Sequence, residues 1–189
     1  MRLFVALVPP PEATAELDAV LAPLRPDWPG LRWTSQDAWH VTLTFLGEVN
    51  ASLLEPLAVR LARAAGRHPP QDAAIGGAGA FPSAAKARVL WAAVIGDRKA
   101  LTALAWSAAA AARRAGAPPD EVRPYRPHLT IGRCRQPADL RPLVSELHGF
   151  AGRGWTAGQM QLIRSHPGPR PFYETIASWP LGAPRPGGR

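Results

Sequence analysis

Two short stretches hold the residue types that could do chemistry: "HVTLTFLG" at residues 40 to 47 and "HLTIGR" at 128 to 133. Each opens on a histidine followed two positions later by a threonine, with an apolar residue between. On a strand, successive side chains alternate faces, so His40, Thr42 and Thr44 are expected on one side and Val41 and Leu43 on the other. His128 and Thr130 repeat this over Leu129 and Ile131. Imidazole has an unperturbed pKa near neutrality, so of two facing histidines one can accept a proton while the other donates one. Placed on either side of a phosphorus centre, such a pair suits an in-line displacement: one activates the nucleophile and the other protonates the leaving oxygen. Thr42 and Thr130 would hold non-bridging phosphate oxygens, and Arg133 would clamp the phosphate through its bidentate fork. A single His-x-Thr would be an ordinary strand. Two copies in matching contexts, 128 − 40 = 88 positions apart, point to a paired site.

Strict alternation sends Arg133, five positions beyond His128, to the opposite face, and Phe45 stands in the same relation to His40. Gly132 offers a bulge or bend that would re-aim Arg133. No such residue precedes Phe45.

The elements that must position these residues are short strands interleaved with helices. Strands are expected at 2–8, 31–34, 40–46, 73–80, 88–95, 128–134, 156–164 and 172–179, from β-branched or aromatic runs between breakers. Helices are expected at 11–23, 51–66, 98–115 and 138–148. Asn50 stands where a cap for the second helix belongs, ahead of a stripe of Leu53, Leu54, Leu57, Leu61 and Ala64. The third helix ends in "RRAG", with basic residues at the negative pole and a glycine stop. Strands that follow one another in pairs argue for antiparallel sheets, hence an α+β fold with helices packed outside. The recurrence of the motif implies two pseudo-symmetric lobes whose strands converge on one polar groove. Residues 1–180 are read as a single bilobal domain and 181–189 as a flexible tail.

At 189 residues and 47% hydrophobic, the chain can bury such a core. Lys and Arg number 22 against 14 Asp and Glu, and the net charge of +8 weakly favours an anionic partner such as nucleic acid. The Arg, Pro and Ala bias fits a GC-rich coding sequence equally well. The single Cys134 excludes an intrachain disulfide and a cysteine-rich metal site, so a reducing, cytoplasmic setting is expected. No window approaches the roughly 20 apolar residues of a membrane span, and the opening "MRLFVALVPPP" reads as a first strand, with no membrane partner expected. "GGAGAF" lacks the Lys and Ser/Thr of a P-loop, and no His-x-His or Cys pair offers metal-ligand spacing, so neither ATP nor a metal cofactor is implied.

"HVTLTFLG" and "PHLTIGR" resemble the paired motifs of the two-histidine phosphoesterase superfamily, specifically the bacterial and archaeal RNA 2′,3′-cyclic phosphodiesterases first described as 2′-5′ RNA ligases. "RLFVALVPP", "GGAGAFPSAAKARVLWAAV" and "LIRSHPGPRPFYETIASWPL" resemble that family's opening strand, middle hairpin and closing strands, so nearly the whole chain is covered. The extended motifs His-x-Thr-x-x-Phe and His-x-Thr-x-x-Arg are complete as His40, Thr42, Phe45 and His128, Thr130, Arg133. The resemblance implies that His40 is the proton donor to the O3′ leaving group and His128 the proton acceptor from water. It also implies that Arg133 contacts the phosphate and that Phe45 stacks near the terminal base. The implied partner is an RNA with a 2′,3′-cyclic phosphate end, converted to a 2′-phosphomonoester without a cofactor or an obligate protein partner. The residue pattern alone does not order the two histidines, because the motifs are nearly symmetric. Two rivals stand beside hydrolysis: reversible 2′-5′ joining of RNA ends, and a non-catalytic RNA-end-binding module.

Other candidates are weighed by context. His68 reads as a solvated loop residue and His148 as a helix-end residue suited to the dipole. His166 or Arg170, in a Gly- and Pro-rich loop, could touch RNA; Tyr125 and Tyr173 could reach the groove, and Arg126 could add to a positive rim. Trp91, Trp106, Trp155 and Trp179 are expected in the core, which leaves Trp33 and Trp39 as stacking candidates.

Overall fold

The computed structural model describes residues 1–119, 124–168 and 172–182. In chain order the elements are β1 (Arg2–Leu7), α1 (Pro11–Leu21), β2 (Leu31–Trp33), β3 (Val41–Glu48), α2 (Leu54–Ala65), β4 (Gln71–Phe81) and β5 (Ala87–Gly96). They continue with α3 (Arg98–Arg114), β6 (His128–Ala138), α4 (Arg141–Leu147), β7 (Trp155–Ala157), β8 (Gln159–His166) and β9 (Phe172–Pro180). Local chemistry sets the starts. Pro11 opens α1, where a missing N–H costs nothing. Asn50 Oδ1 accepts from the Ser52 amide at 3.0 Å, opening a 3-10 turn that leads into α2. Asp97 caps α3 by accepting from the Lys99 and Ala100 amides.

The strands form two sheets, β3-β1-β8-β9 and β2-β6-β5-β4-β7, with every pairing antiparallel. Laid side by side, β3 corresponds to β6, β1 to β5, β8 to β4 and β9 to β7, with β2 as an extra edge strand. This is the two-lobed α+β arrangement that the repeated motif implied. The halves exchange a strand: β4, which follows α2, joins β5 and β6, while β8, which follows α4, joins β1. The single strand expected over 156–164 is therefore two. It breaks at Gly158: Ala157 before it pairs with Gln71 in one sheet, and Gln159 after it pairs with Pro180 in the other.

One face of each sheet packs on the helices. Leu3, Val5 and Leu7 of β1, Leu90 and Ala92 of β5, and Leu129 and Ile131 of β6 are buried in one cluster with Leu17, Leu57, Leu61, Leu101 and Leu104. Each such leucine stabilises the fold by about 1.5–3 kcal/mol. The opposite face of the first sheet carries a separate small cluster of Phe4, Ala6 and Ile163, which floors the groove. Trp106 departs from its expected core position and is 64% exposed. The buried stripe of α3 runs through Leu101, Leu104, Ala105, Ala108, Ala111 and Ala112, and Trp106 falls on its other side. Leu181, assigned to the tail from sequence, is instead buried, and its amide donates to the Gly158 carbonyl at 2.8 Å. Residues 183–189 of that tail lie outside the described residues. Among the described residues, no helix is long and apolar enough to cross a membrane.

Candidate active site

The first motif strand, β3, pairs with β1, and the register between them is broken. Ala6 faces Thr42 but Val5 faces Thr44, so Leu43 is an extra residue on β3. Such a bulge inverts the alternation that follows it. Thr44, expected on the groove face, is therefore buried with Leu43, and Phe45 emerges beside Thr42, 54% exposed. A second irregularity follows at once, where Phe4 faces Phe45 and Leu3 faces Gly47. Gly47 has φ +62, a left-handed conformation that a side chain would strain.

The second motif strand repeats the device at the equivalent place. Trp91 faces Thr130 and Leu90 faces Gly132, so Ile131 is the extra residue. Ile131 is fully buried, and Arg133 comes out exposed on the side of His128 and Thr130. Gly132, expected as the bulge itself, stands next to it, and its missing side chain serves a close approach: a Cβ there would lie 2.9 Å from Leu31 Cγ. Both motifs are thus His-x-Thr, a bulge, one buried residue, and then the side chain that must return to the groove.

The histidines are held alike. His128 Nδ1 donates to the Arg126 carbonyl at 2.6 Å, leaving Nε2 as the free ring nitrogen. His40 has the same relation to the backbone of Ala38, again two residues upstream. Burial pushes the His40 pKa down to about 4; the Ala38 carbonyl opposes the fall, and the charges of His128 and Arg133 deepen it. That response brings His40, His128 and Arg133 into one electrostatic neighbourhood, although β3 and β6 belong to different sheets. His128 is also lowered, mainly by burial, with the Arg126 carbonyl opposing and Arg133 assisting.

Aromatic walls fix both rings. His40 packs against Phe4 (centroids 4.5 Å apart) and edge-on against Tyr173 (4.9 Å). His128 meets Phe81 edge-on at 5.2 Å, with Trp91 behind it at 6.2 Å. Trp91, expected in the core, belongs to this wall, and Gly79 makes room for it, since a Cβ there would collide with the indole ring. Phe4 and Phe81 escaped the reading of the sequence. Phe4 could have been found from parity, because it alternates with Leu3, Val5 and Leu7 and must face away from the helices.

The remaining candidates separate clearly. Tyr173 reaches the groove, whereas Tyr125 packs against the core, its hydroxyl buried without a partner among the described residues and its pKa driven up by burial. Trp39 is 2% exposed, and Trp33 is packed on the core under the Arg25 guanidinium, so neither offers a free stacking face. His68 is no solvated loop residue: its Nε2 hydrogen-bonds Ser107 Oγ on α3 at 2.7 Å, and burial lowers its pKa. His148 caps the end of α4 as expected. His166 donates to Glu174 Oε2 at 2.8 Å and stacks on Phe172, so its contacts stay within its own hairpin. Arg126 is exposed beside the site, and Arg170 lies outside the described residues.

A family model described as the 2′-5′ RNA ligase superfamily matches residues 9–169. An RNA 2′,3′-cyclic phosphodiesterase of Geobacillus stearothermophilus is 32% identical over 154 residues, which is 80% of this chain; the chain spans only 48% of that relative's length. A Thermus thermophilus protein of the same name is 29% identical over 185 residues, covering 96% of this chain and 90% of the other. Among solved structures, TT0787 of Thermus thermophilus superposes with a TM-score of 0.80 at 27% identity, over 98% of this chain and 100% of that one. LigT of E. coli complexed with 3′-AMP gives a TM-score of 0.73 at 25% identity, over 96% and 98% of the two chains.

Proposed function

Because the chain belongs to the 2′-5′ RNA ligase superfamily and its two bulged His-x-Thr strands deliver both imidazoles to one groove, we propose that it hydrolyses 2′,3′-cyclic phosphate ends of RNA to 2′-phosphomonoesters. The observation that carries this reading is that His40 and His128, set on strands of different sheets, both feel the charge of Arg133, and His40 that of His128. One bilobal unit over residues 1–180, working in the cytoplasm, is the matching assembly; its shared core and free Cys134 support that.

In this mechanism the cyclic phosphate lies between His40 and His128. With its Nδ1 proton committed to the Arg126 carbonyl, neutral His128 presents Nε2 as an acceptor and takes a proton from water as its oxygen attacks phosphorus. The P–O3′ bond breaks, and protonated His40 gives its proton to the departing O3′. Arg133 offsets the charge that grows on the non-bridging oxygens, and Thr42 and Thr130 donate to them. Phe45 offers its exposed ring to the terminal base. The anionic substrate raises both imidazole pKa values, which recharges His40 for its donor role. The stronger depression of His40 in the free protein favours a second order of roles, with His40 as base. A phosphodiester with an activated phenolate leaving group separates the two: it needs no acid, so it rescues the alanine variant of the donor histidine and not that of the acceptor.

The defining experiment incubates the protein, with EDTA present, on a short RNA ending in a 2′,3′-cyclic phosphate, with and without a 5′-hydroxyl strand. A 2′-phosphomonoester formed in EDTA is expected. Joined strands as the main product would assign ligation, and an untouched end would overturn the proposal.

A further inference from the structure

Strand β2 is three residues long, and its outer residues are fixed by the core. Leu31 is buried against Gly132, and Trp33 packs on the core beneath Arg25. Arg32, between them, must face the other way and is exposed. Its register partner on β6 is Arg133, the arginine proposed above to hold the phosphate. The Thr34 amide donates to the Ile131 carbonyl at 3.0 Å, which carries the pairing past Trp33 and holds this register. Directly opposite residues on antiparallel strands have Cβ atoms about 4.5–5.5 Å apart, and like charges there repel. Among the described residues, no carboxylate forms an ion pair with either arginine. On its other side Arg133 faces Val89, so of its two cross-strand partners Arg32 is the charged one. Arg32 stands one strand spacing, about 4.8 Å, beyond Arg133 across the sheet.

We infer that Arg32 and Arg133 form a two-phosphate subsite: Arg133 holds the terminal cyclic phosphate, and Arg32 holds the internucleotide phosphate on its 5′ side. This rests on the hydrolytic reading above and narrows the substrate class to RNA ends, in preference to free nucleoside cyclic phosphates. An arginine serving only to block edge pairing would gain nothing from facing another arginine.

Arg32→Gln is compared with the parent protein on two substrates. One is a dinucleotide ending in a 2′,3′-cyclic phosphate; the other is a nucleoside 2′,3′-cyclic phosphate, which has no internucleotide phosphate. The kcat/KM on the dinucleotide should fall about ten-fold, chiefly through KM, with the nucleoside substrate unaffected. Equal losses on both, or no loss on either, overturn the subsite. A binding measurement keeps this test separate from the question of turnover: anisotropy of a fluorescent trinucleotide ending in a 2′-phosphate, titrated over a salt series. Arg32→Gln should reduce the slope of log affinity against log salt by about 0.7, one single-strand phosphate contact, and Arg32→Lys should restore most of it. An unchanged slope overturns the inference even if no hydrolysis is found. Arg32→Gln should melt at or above the parent temperature, since it relieves a repulsive pair.

Discussion

Strands β3 and β6 hold their histidines in the same way: the backbone two residues upstream, a threonine two residues downstream, and a bulge after that threonine. They differ in what the bulge presents. In β3 it turns out an exposed phenylalanine, and in β6 a guanidinium. The walls differ too, with Phe4 and Tyr173 behind one imidazole and Phe81 and Trp91 behind the other. On the proposed mechanism, proton transfer is duplicated while recognition is divided, one lobe offering an aromatic face to a base and the other a guanidinium to phosphates.

The symmetric part of this comparison is broken hardest by removing the imidazoles. His40→Ala and His128→Ala should each lower kcat about 10² to 10⁴-fold in single-turnover assays on an RNA cyclic phosphate end. The double variant should be scarcely worse than the poorer single one, because the two act as a unit. If one substitution is silent, the two strands are not equivalent in chemistry. The divided part is sharpened next. Arg133→Lys should cost about 10²-fold, mainly in kcat, since a point charge cannot reproduce the fork. Phe45→Leu should cost about ten-fold, mainly in KM, and should alter the preference for the terminal base.

A pH profile probes the pair more gently. The proposed mechanism needs one imidazole protonated and the other neutral, and both pKa values are lowered in the free protein, that of His40 to about 4. The kcat/KM curve should therefore be a bell with its maximum on the acid side of the ordinary histidine value, falling as pH rises through neutrality. The kcat curve, which reports the substrate-bound enzyme, should lie at higher pH. A coincidence of the two curves would show that bound phosphate leaves the imidazoles unchanged. The smallest effect belongs to a residue outside both lobes' shared device. Trp106→Gln should shift stability by no more than about 0.5 kcal/mol in a urea melt, because the side chain already stands in solvent.

Much of this molecule could be read from local patterns. Alternation gave the motif strands, and leucine stripes gave the helices, because each signal lies within a dozen residues. The position of Phe45 could not be read, because the bulge at Leu43 is imposed by pairing with β1 and nothing within β3 announces it. The same limit hid Phe81, which reaches His128 from a strand about fifty positions away. Trp106 was misplaced because the surrounding alanines blur the buried stripe of α3. The break at Gly158 was hidden for another reason: a continuous β-forming run says nothing about a change of sheet.

That change of sheet also bears on how the chain reaches its native state. Val5 pairs with Thr44 on one side and with Leu162 on the other, and 162 − 5 = 157 positions separate the latter pair. During synthesis the first sheet therefore stays open along β1 until nearly the whole chain has emerged, with a bare row of backbone donors and acceptors on an apolar strand. Its high contact order makes closure slow. A chain ending at residue 157 should bind a hydrophobic dye and self-associate, while the full chain, with β8 in place, should do neither; equal behaviour of the two would show that β1 has another way to cover its edge. The exchange that locks the two lobes around one groove leaves neither lobe able to mature alone.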